Sequence, residues 1–301
     1  MPFNRSFHSL VLVKQVPDTR QVSGEVMTAE GTMNRSALPA IFNPEDLNAL
    51  EMATGIKEQY GGKVTVLTMG PLQAAEVLRQ ALFRGADRVV LLSDRKFAGA
   101  DTQATSYTLK CAIDKLGEYN LVFCGRQAID GDTAQVGPQV AEKLGIPQIT
   151  YAESIVALSE GEIVVRRAFD LGSELVKCQL PCLLTVVGSA NRPRPPSARK
   201  RMAYKMAAIP SEYPKLLQKW PEFGDEKALG AYLRERNLEI EVWTAADLPV
   251  DEAYIGLAGS PTQVYKVNYV VLETSDSKEI EPTAEGIREL IAELIQEYIV
   301  G

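Results

Sequence analysis

The stretch Gly125-Arg126-Gln127-Ala128-Ile129-Asp130-Gly131-Asp132-Thr133-Ala134-Gln135-Val136-Gly137-Pro138 has the residue types and spacing of a phosphate seat. It follows an apolar run, Leu121–Cys124, that reads as a buried parallel strand, and leads into Gln139–Leu144, which reads as helical. Backbone amides at such a turn point outward unobstructed and meet the positive end of the helix dipole. Spacing alone leaves a second reading open: an ordinary strand-to-helix loop whose glycines serve only to turn.

Acid–base and metal chemistry have little to work with. His8 is the single histidine, and it is expected in a frayed N-terminal arm, so neither a His-dependent triad nor a multi-His metal site can be assembled. Cys111 and Cys124 sit among apolar residues, and Cys178 and Cys182 are separated by three residues that include a proline. All four read as buried thiols, not as a metal or disulfide set. No protein side chain is assigned a catalytic role and no metal is expected; a bound cofactor is left to carry the chemistry.

The chain has 301 residues, 46% hydrophobic and 24% charged, with a formal charge of −7. That balance is globular and argues against a general nucleic-acid binder. No stretch approaches the roughly 18 consecutive apolar residues of a membrane span. Leu10–Val13 is too short for a signal peptide and is followed by Lys14, so the cytoplasm is the expected location.

The elements that must position the loop alternate between strand and helix patterns. Strands are expected at Leu10–Val13, Val64–Met69, Val89–Leu92 and Leu121–Cys124. Asn43-Pro44-Glu45-Asp46 starts a helix: an N-cap asparagine, proline at the first helical position, then two acids. Further helices are expected around Ala74–Leu82, from Asp101 as cap to Leu116, and over Thr133–Leu144. The pattern gives an α/β fold with a doubly wound, mostly parallel sheet, whose ligands lie outside the carboxyl ends of the strands. Asn43, Met69, Asp101 and the 125–136 loop all fall at or just after strand ends.

Beyond residue 150 the pattern changes. Short strands near 154–157, 163–168, 174–179 and 183–187 are expected to extend the sheet in antiparallel fashion. Residues 191–205 hold six basic residues and no acid, and Pro193, Pro195 and Pro196 stiffen the start. Partner docking and a merely solvated charge run both fit, with docking favoured. The segment 211–250 gives little beyond a helix at Lys227–Arg236, and Trp220, Phe223 and Trp243 need burial. After Pro282, Ile287, Leu290, Ile291, Leu294, Ile295 and Tyr298 form a helical stripe, to be packed on another subunit or on the home domain. Two blocks are expected: 1–188 as the nucleotide domain, and 189–301 as docking loop, insertion and C-terminal arm.

Together these features resemble the beta subunit of electron transfer flavoproteins. The resemblance covers most of residues 9–205. It is carried by Val11-Leu12-Val13-Lys14 with Pro17-Asp18, by Asn43-Pro44, by Arg84-Gly85-Ala86-Asp87-Arg88, by Gly125–Asp130 with Asp132, and by Asn191-Arg192-Pro193-Arg194. It implies an adenine nucleotide alpha hydrolase-like fold and a heterodimer with an alpha subunit carrying the electron-transferring FAD. It further implies a nucleotide site in this chain, holding AMP in simpler members and a second FAD in electron-bifurcating ones. There the FAD takes a hydride from NADH, and electrons go to the alpha flavin, then a dehydrogenase such as acyl-CoA dehydrogenase or a quinone-linked acceptor, and to ferredoxin or flavodoxin. A stand-alone nucleotide sensor of the universal-stress type shares such a sheet, but needs neither the long tail nor the basic loop.

Carried over residue by residue, the resemblance assigns the cofactor to Leu12, Asn43, Pro44, Asp46, Met69 and the run Gly125, Arg126, Gln127, Ala128, Ile129, Asp130, Gly131, Asp132, Thr133, Ala134, Gln135 and Val136. Ala98–Ser106 looks like the bifurcating branch, with Asp101, Thr102, Thr105 and Ser106 facing the flavin's polar edge or simply capping a helix. Gly131 and Ala134 leave more room than the bulkier loop of AMP-binding members, so FAD is favoured over AMP. Arg126 either stabilises an anionic reduced flavin or pairs with Asp130 or a phosphate. Docking falls to Arg192, Arg194, Ala198, Arg199, Lys200 and Met202. Ala198 stands where simpler members carry an anchoring leucine, for which Met202 or Tyr204 could substitute.

Overall fold

Short runs of Val, Ile and Leu, suited to a pleated surface buried on both faces, set the sheet. The computed structural model describes residues 7–18, 39–262, 278–297 and 299. In chain order the strands are β1 (His8–Leu12), β2 (Gln15–Pro17), β3 (Ala40–Phe42), β4 (Lys63–Met69), β5 (Arg88–Leu92), β6 (Leu121–Gly125), β7 (Gln148–Leu158), β8 (Glu162–Phe169), β9 (Gly172–Gln179), β10 (Cys182–Val186) and β11 (Glu241–Trp243). The helices are α1 (Pro44–Tyr60), α2 (Ala75–Arg84), α3 (Thr102–Leu116), α4 (Val136–Leu144), α5 (Ala198–Ala203), α6 (Tyr213–Lys219), α7 (Glu226–Glu235) and α8 (Ala284–Gln296).

Nine strands form one sheet in the order β11-β5-β4-β1-β6-β10-β7-β8-β9, and β2 with β3 makes a small antiparallel ribbon. Pairing is parallel from β11 through β7 and antiparallel from β7 to β9. One face carries Val11, Val66 and Phe123 against Leu50 of α1 and Leu78 of α2. The other carries Leu10, Leu67 and Val122 against Ile113 of α3 and Val140 of α4. This is the doubly wound α/β sheet expected from the sequence.

Several boundaries differ from expectation. β1 begins two residues early, and His8 is not frayed: it is buried, with Nδ1 2.7 Å from the Glu118 carbonyl and Nε2 2.9 Å from Thr65 Oγ1. Burial lowers its pKa. β10 is not antiparallel. It inserts between β6 and β7, parallel to both, so the chain returns to the sheet centre after the β8–β9 hairpin. Cys111, Cys124 and Cys182 are buried as expected, whereas Cys178 is half-buried.

The opaque stretch after residue 205 belongs to the main unit. β11 adds an edge strand beside β5, which buries Trp243. Trp220 and Phe223 pack on Met206, Tyr213, Leu229 and Leu233, a small core around α6 and α7. The chain divides into two compact units, Met1–Tyr265 and Lys266–Gly301, so the docking loop and insertion sit with the sheet and not in a second block. In the C-terminal unit, Thr283 caps α8 by accepting from the Gly286 amide, and Ile287, Ile291 and Ile295 lie exposed along it. Tyr298 lies outside the described residues. Among the described residues no helix is long and apolar enough to cross a membrane.

Gly137, in the first turn of α4, sits where a Cβ would lie 2.7 Å from Cys124 Sγ and 3.0 Å from Thr185 Cγ2. Gly137→Ala should therefore cost about 1–3 kcal/mol through overpacking. Urea denaturation of the variant, with an unchanged slope and a lower midpoint, checks this.

Candidate functional site

Chain order reverses between β1 and β6: β4 and β5 follow on one side of β1, and β6 lies on the other. In open α/β sheets such a reversal opens a crevice at the carboxyl ends of the strands. Here the first turn of α1 reaches across it. Asp46 is buried; its Oδ2 accepts from the Lys14 amide after β1 at 2.8 Å, and its Oδ1 from the Gly125 amide at the end of β6 at 2.9 Å. Only glycine fits at 125, because a Cβ there would stand 2.5 Å from Asp46 Oδ1. Burial pushes the Asp46 carboxyl up to about 7, against the opposing donors from Gly125, Lys14 and Asn43.

The neighbours of Asp46 hold the loop itself. Asn43 occupies the cap position of α1 but makes no cap bond. It reaches across instead: Nδ2 donates to the Gln127 carbonyl at 2.9 Å, and Oδ1 accepts from the Ile129 amide at 3.2 Å. Glu45 Oε2 accepts from the Gln127 amide at 2.9 Å and pairs with Arg126. Arg126 thus pairs with Glu45 and lies over the Tyr151 ring, not with Asp130; Asp130 is paired with Lys14 at 2.7 Å. Gln127 Nε2 donates to Asp132 Oδ1 at 3.0 Å.

Farther along, Asp132 (φ 49°) and Ala134 (φ 53°) take left-handed backbone conformations. Such residues cluster at functional sites. They also explain why α4 starts at Val136 and not at Thr133 as expected, since a right-handed helix cannot contain them. The amides of Thr133, Ala134, Gln135 and Val136 donate no hydrogen bond among the described residues. They lie in exposed or half-buried residues. A Cβ on Gly131 would meet nothing within 4 Å.

The start of α3 faces this loop end. Thr102 Oγ1 donates to Gln135 Oε1 at 2.9 Å, and Ser106 Oγ lies 3.1 Å from Gln139 Oε1. Asp101 caps α3 by accepting from the Ala104 amide at 3.0 Å. Of the four polar residues expected here, only Thr105 keeps a side-chain hydroxyl free of partners among the described residues. Of the apolar walls, Met69 is half-buried at the end of β4, whereas Leu12 is buried in the second core. Pro44 opens α1, and Ala128 accepts from the Gly131 and Asp132 amides.

The residues expected from the sequence to dock a partner lie elsewhere, on a segment tied to α1 and α2. The loop is fixed by Asn48 Nδ2 donating to the Asn191 carbonyl at 2.7 Å and by the Ser197 amide donating to the Phe83 carbonyl at 2.9 Å. Arg194 is a structural cation, held by Glu51 and Glu58, whose side chains raise its pKa. Arg192 is exposed in the loop; on α5, Ala198, Arg199 and Met202 are exposed and Lys200 is half-buried.

Residues 30–211 match the electron transfer flavoprotein domain. The chain is 41% identical over 291 residues to the electron transfer flavoprotein subunit beta of Clostridium acetobutylicum, covering 97% of this chain and 99% of that one. The chain belongs to the electron transfer flavoprotein beta-subunit family. It is also similar to the caffeyl-CoA reductase-Etf complex subunit CarD of Acetobacterium woodii (42% identical, covering 85% of this chain and 86% of that one) and to protein FixA of Bradyrhizobium diazoefficiens (41%, covering 86% and 81%). The doubly wound sheet with a C-terminal helical arm is thus an electron transfer flavoprotein architecture.

Sequence reasoning missed Lys14, Gln139 and Thr262, which tie the loop and the α3 cap in place. Glu45 lies in the Asn43 to Asp46 run that the resemblance placed at the site, but its local chemistry reads only as a first-turn acid suited to the helix dipole. Nothing local shows that its carboxylate meets an amide at Gln127, across 82 positions of chain.

Asp46 yields a signed pH dependence. Its folded pKa, about 7, lies above its unfolded value of roughly 3.9. Stability from this group is therefore full below the unfolded value and is lost as pH rises toward 7. Asp46→Asn should flatten that slope and cost about 1–3 kcal/mol, because an NH2 then faces a backbone N–H donor. Denaturant midpoints measured between pH 4 and 8 for both forms check it.

Proposed function

We propose that this chain is the beta half of a heterodimeric electron transfer flavoprotein of the bifurcating kind, with FAD in the 125–136 crevice. The alpha subunit would carry the second FAD, which delivers electrons to a dehydrogenase or quinone-linked acceptor. Ferredoxin or flavodoxin would take the other electron. The name of the Acetobacterium relative, which puts that protein in a caffeyl-CoA reductase complex, supports an acyl-CoA-type enzyme among the partners.

The observation that carries the reading is the run of open amides at Thr133–Val136, beside Gly131 with free space around it. Four adjacent donors at a helix start suit a diphosphate, which accepts at more points than a single phosphate. The bound flavin supplies hydride acceptance from NADH and onward transfer of single electrons. The chain's own part is positional. Thr133–Val136 neutralise the phosphates, Met69 offers an apolar wall to adenine, and the Thr105 hydroxyl remains available for a polar ring edge. Arg126, held by Glu45, adds a cation beside the crevice that favours an anionic reduced ring.

AMP is the second reading. Its specific support is that Asp101 and Thr102 already have partners in Thr262 and Gln135, as simple caps would.

The two are separated by counting nucleotides released on denaturing the purified heterodimer. Two FAD per dimer and no AMP is the expected result; one FAD with one AMP contradicts the bifurcating assignment. Asp132→Lys breaks the bridge to Gln127 at a left-handed position. It should cut crevice nucleotide content well below one per dimer while the alpha flavin stays bound.

A further inference from the structure

The segment that leads out of the main unit is bolted onto the first turn of α3. Leu257 donates its amide to the Ala98 carbonyl at 3.0 Å. Glycine at 256 and at 99 permits this approach: a Cβ on Gly256 would fall 2.0 Å from the Lys96 carbonyl oxygen, and one on Gly99 3.2 Å from Leu257 Cβ. The Asp101 amide donates to Ser260 Oγ at 2.8 Å, and Ser260 Oγ in turn donates to the Gly256 carbonyl at 2.7 Å. Thr262 closes the contact, its hydroxyl and amide donating to Asp101 Oδ2 at 2.7 and 3.1 Å.

Asp101 therefore has two jobs, one per oxygen. Oδ1 caps α3 through Ala104 and Oδ2 holds Thr262. The next residue, Thr102, donates to Gln135 at the end of the phosphate loop. A hydrogen-bonded path thus runs from Thr262 through Asp101 and Thr102 to Gln135, one of the residues with an open amide.

We propose that Thr262 and Ser260 are positioning residues of the nucleotide crevice: by fixing Asp101 they fix the α3 turn against the phosphate loop, so that this clasp sets how tightly nucleotide is retained. The proposal rests on the crevice being a nucleotide site. It requires no contact between Thr262 and the ligand. Linkage makes the effect reciprocal, so nucleotide in the crevice steadies the clasp by the same factor.

The test uses the full chain co-expressed with its alpha partner, stripped of crevice nucleotide and titrated with FAD and with AMP separately. Thr262→Val removes the hydroxyl donor at nearly constant volume, and Thr262→Ser restores it. Thr262→Val is expected to weaken binding of the nucleotide that wild type takes up by roughly tenfold, the factor a lost hydrogen bond to a carboxylate gives. Thr262→Ser should return to within about twofold, and the stripped Thr262→Val complex should melt with wild type. Wild-type affinity in Thr262→Val overturns the clasp and leaves the nucleotide site standing. So does a lowered melting temperature of the stripped complex with unchanged affinity, since the contact is then only structural. A wild-type complex that takes up neither FAD nor AMP overturns the site reading and the clasp with it.

Discussion

A single buried carboxylate joins the two strands between which the crevice opens. Asp46 accepts from Lys14 after β1 and from Gly125 at the end of β6, and it does so from the first turn of α1. Both donors are backbone amides that would otherwise be orphaned, and leaving a buried donor unsatisfied costs about 1–3 kcal/mol. The contact brings the α1 backbone so close to β6 that residue 125 has to be glycine. It also sets the distance at which Asn43 and Glu45 reach the loop beyond.

The loop could not hold its shape alone. Two non-glycine residues in left-handed conformations cost free energy, and internal bonding is limited to a turn at Ala128 and the Gln127–Asp132 bridge. Its path is dictated from outside, by Asn43 and Glu45 on one flank and by Thr102 and Ser106 of α3 on the other. Most of the early amides are so occupied, whereas Thr133–Val136 form a continuous run of four donors with no partner among the described residues, at one end of the loop. This end of the loop is thereby preformed, its donors already in place.

Much of the fold was legible because it follows from local pattern. Alternating strand and helix periodicity gave the doubly wound sheet, and the Pro44 start, the Asp101 cap and the glycine-rich loop were each correctly placed along the chain. What was not legible depends on contacts distant in sequence. β11 has three residues and a single parallel neighbour, so it carries no usable periodicity. The insertion of β10 between β6 and β7 is a matter of topology that a five-residue apolar run cannot signal. The side chains of Asn43 and Asp46 were placed at the site by resemblance, but their local chemistry pointed to capping and dipole roles, whereas each is spent on a loop some 80 positions away. Arg194 likewise reads from sequence as a docking cation, and its ion pairs with Glu51 and Glu58, about two turns apart on α1, are long-range contacts that no local pattern signals.

The central claim is that the α1 start, and not the ligand, shapes the phosphate loop. Hydrogen exchange of the 125–136 amides in the nucleotide-free complex, compared between wild type and Asn43→Ala, tests it most directly. The account predicts that the variant exchanges faster at Ile129, whose amide Asn43 accepts, while the α1 amides beyond the first turn stay protected. Equal exchange in the two forms, with the loop already unprotected in wild type, would contradict it.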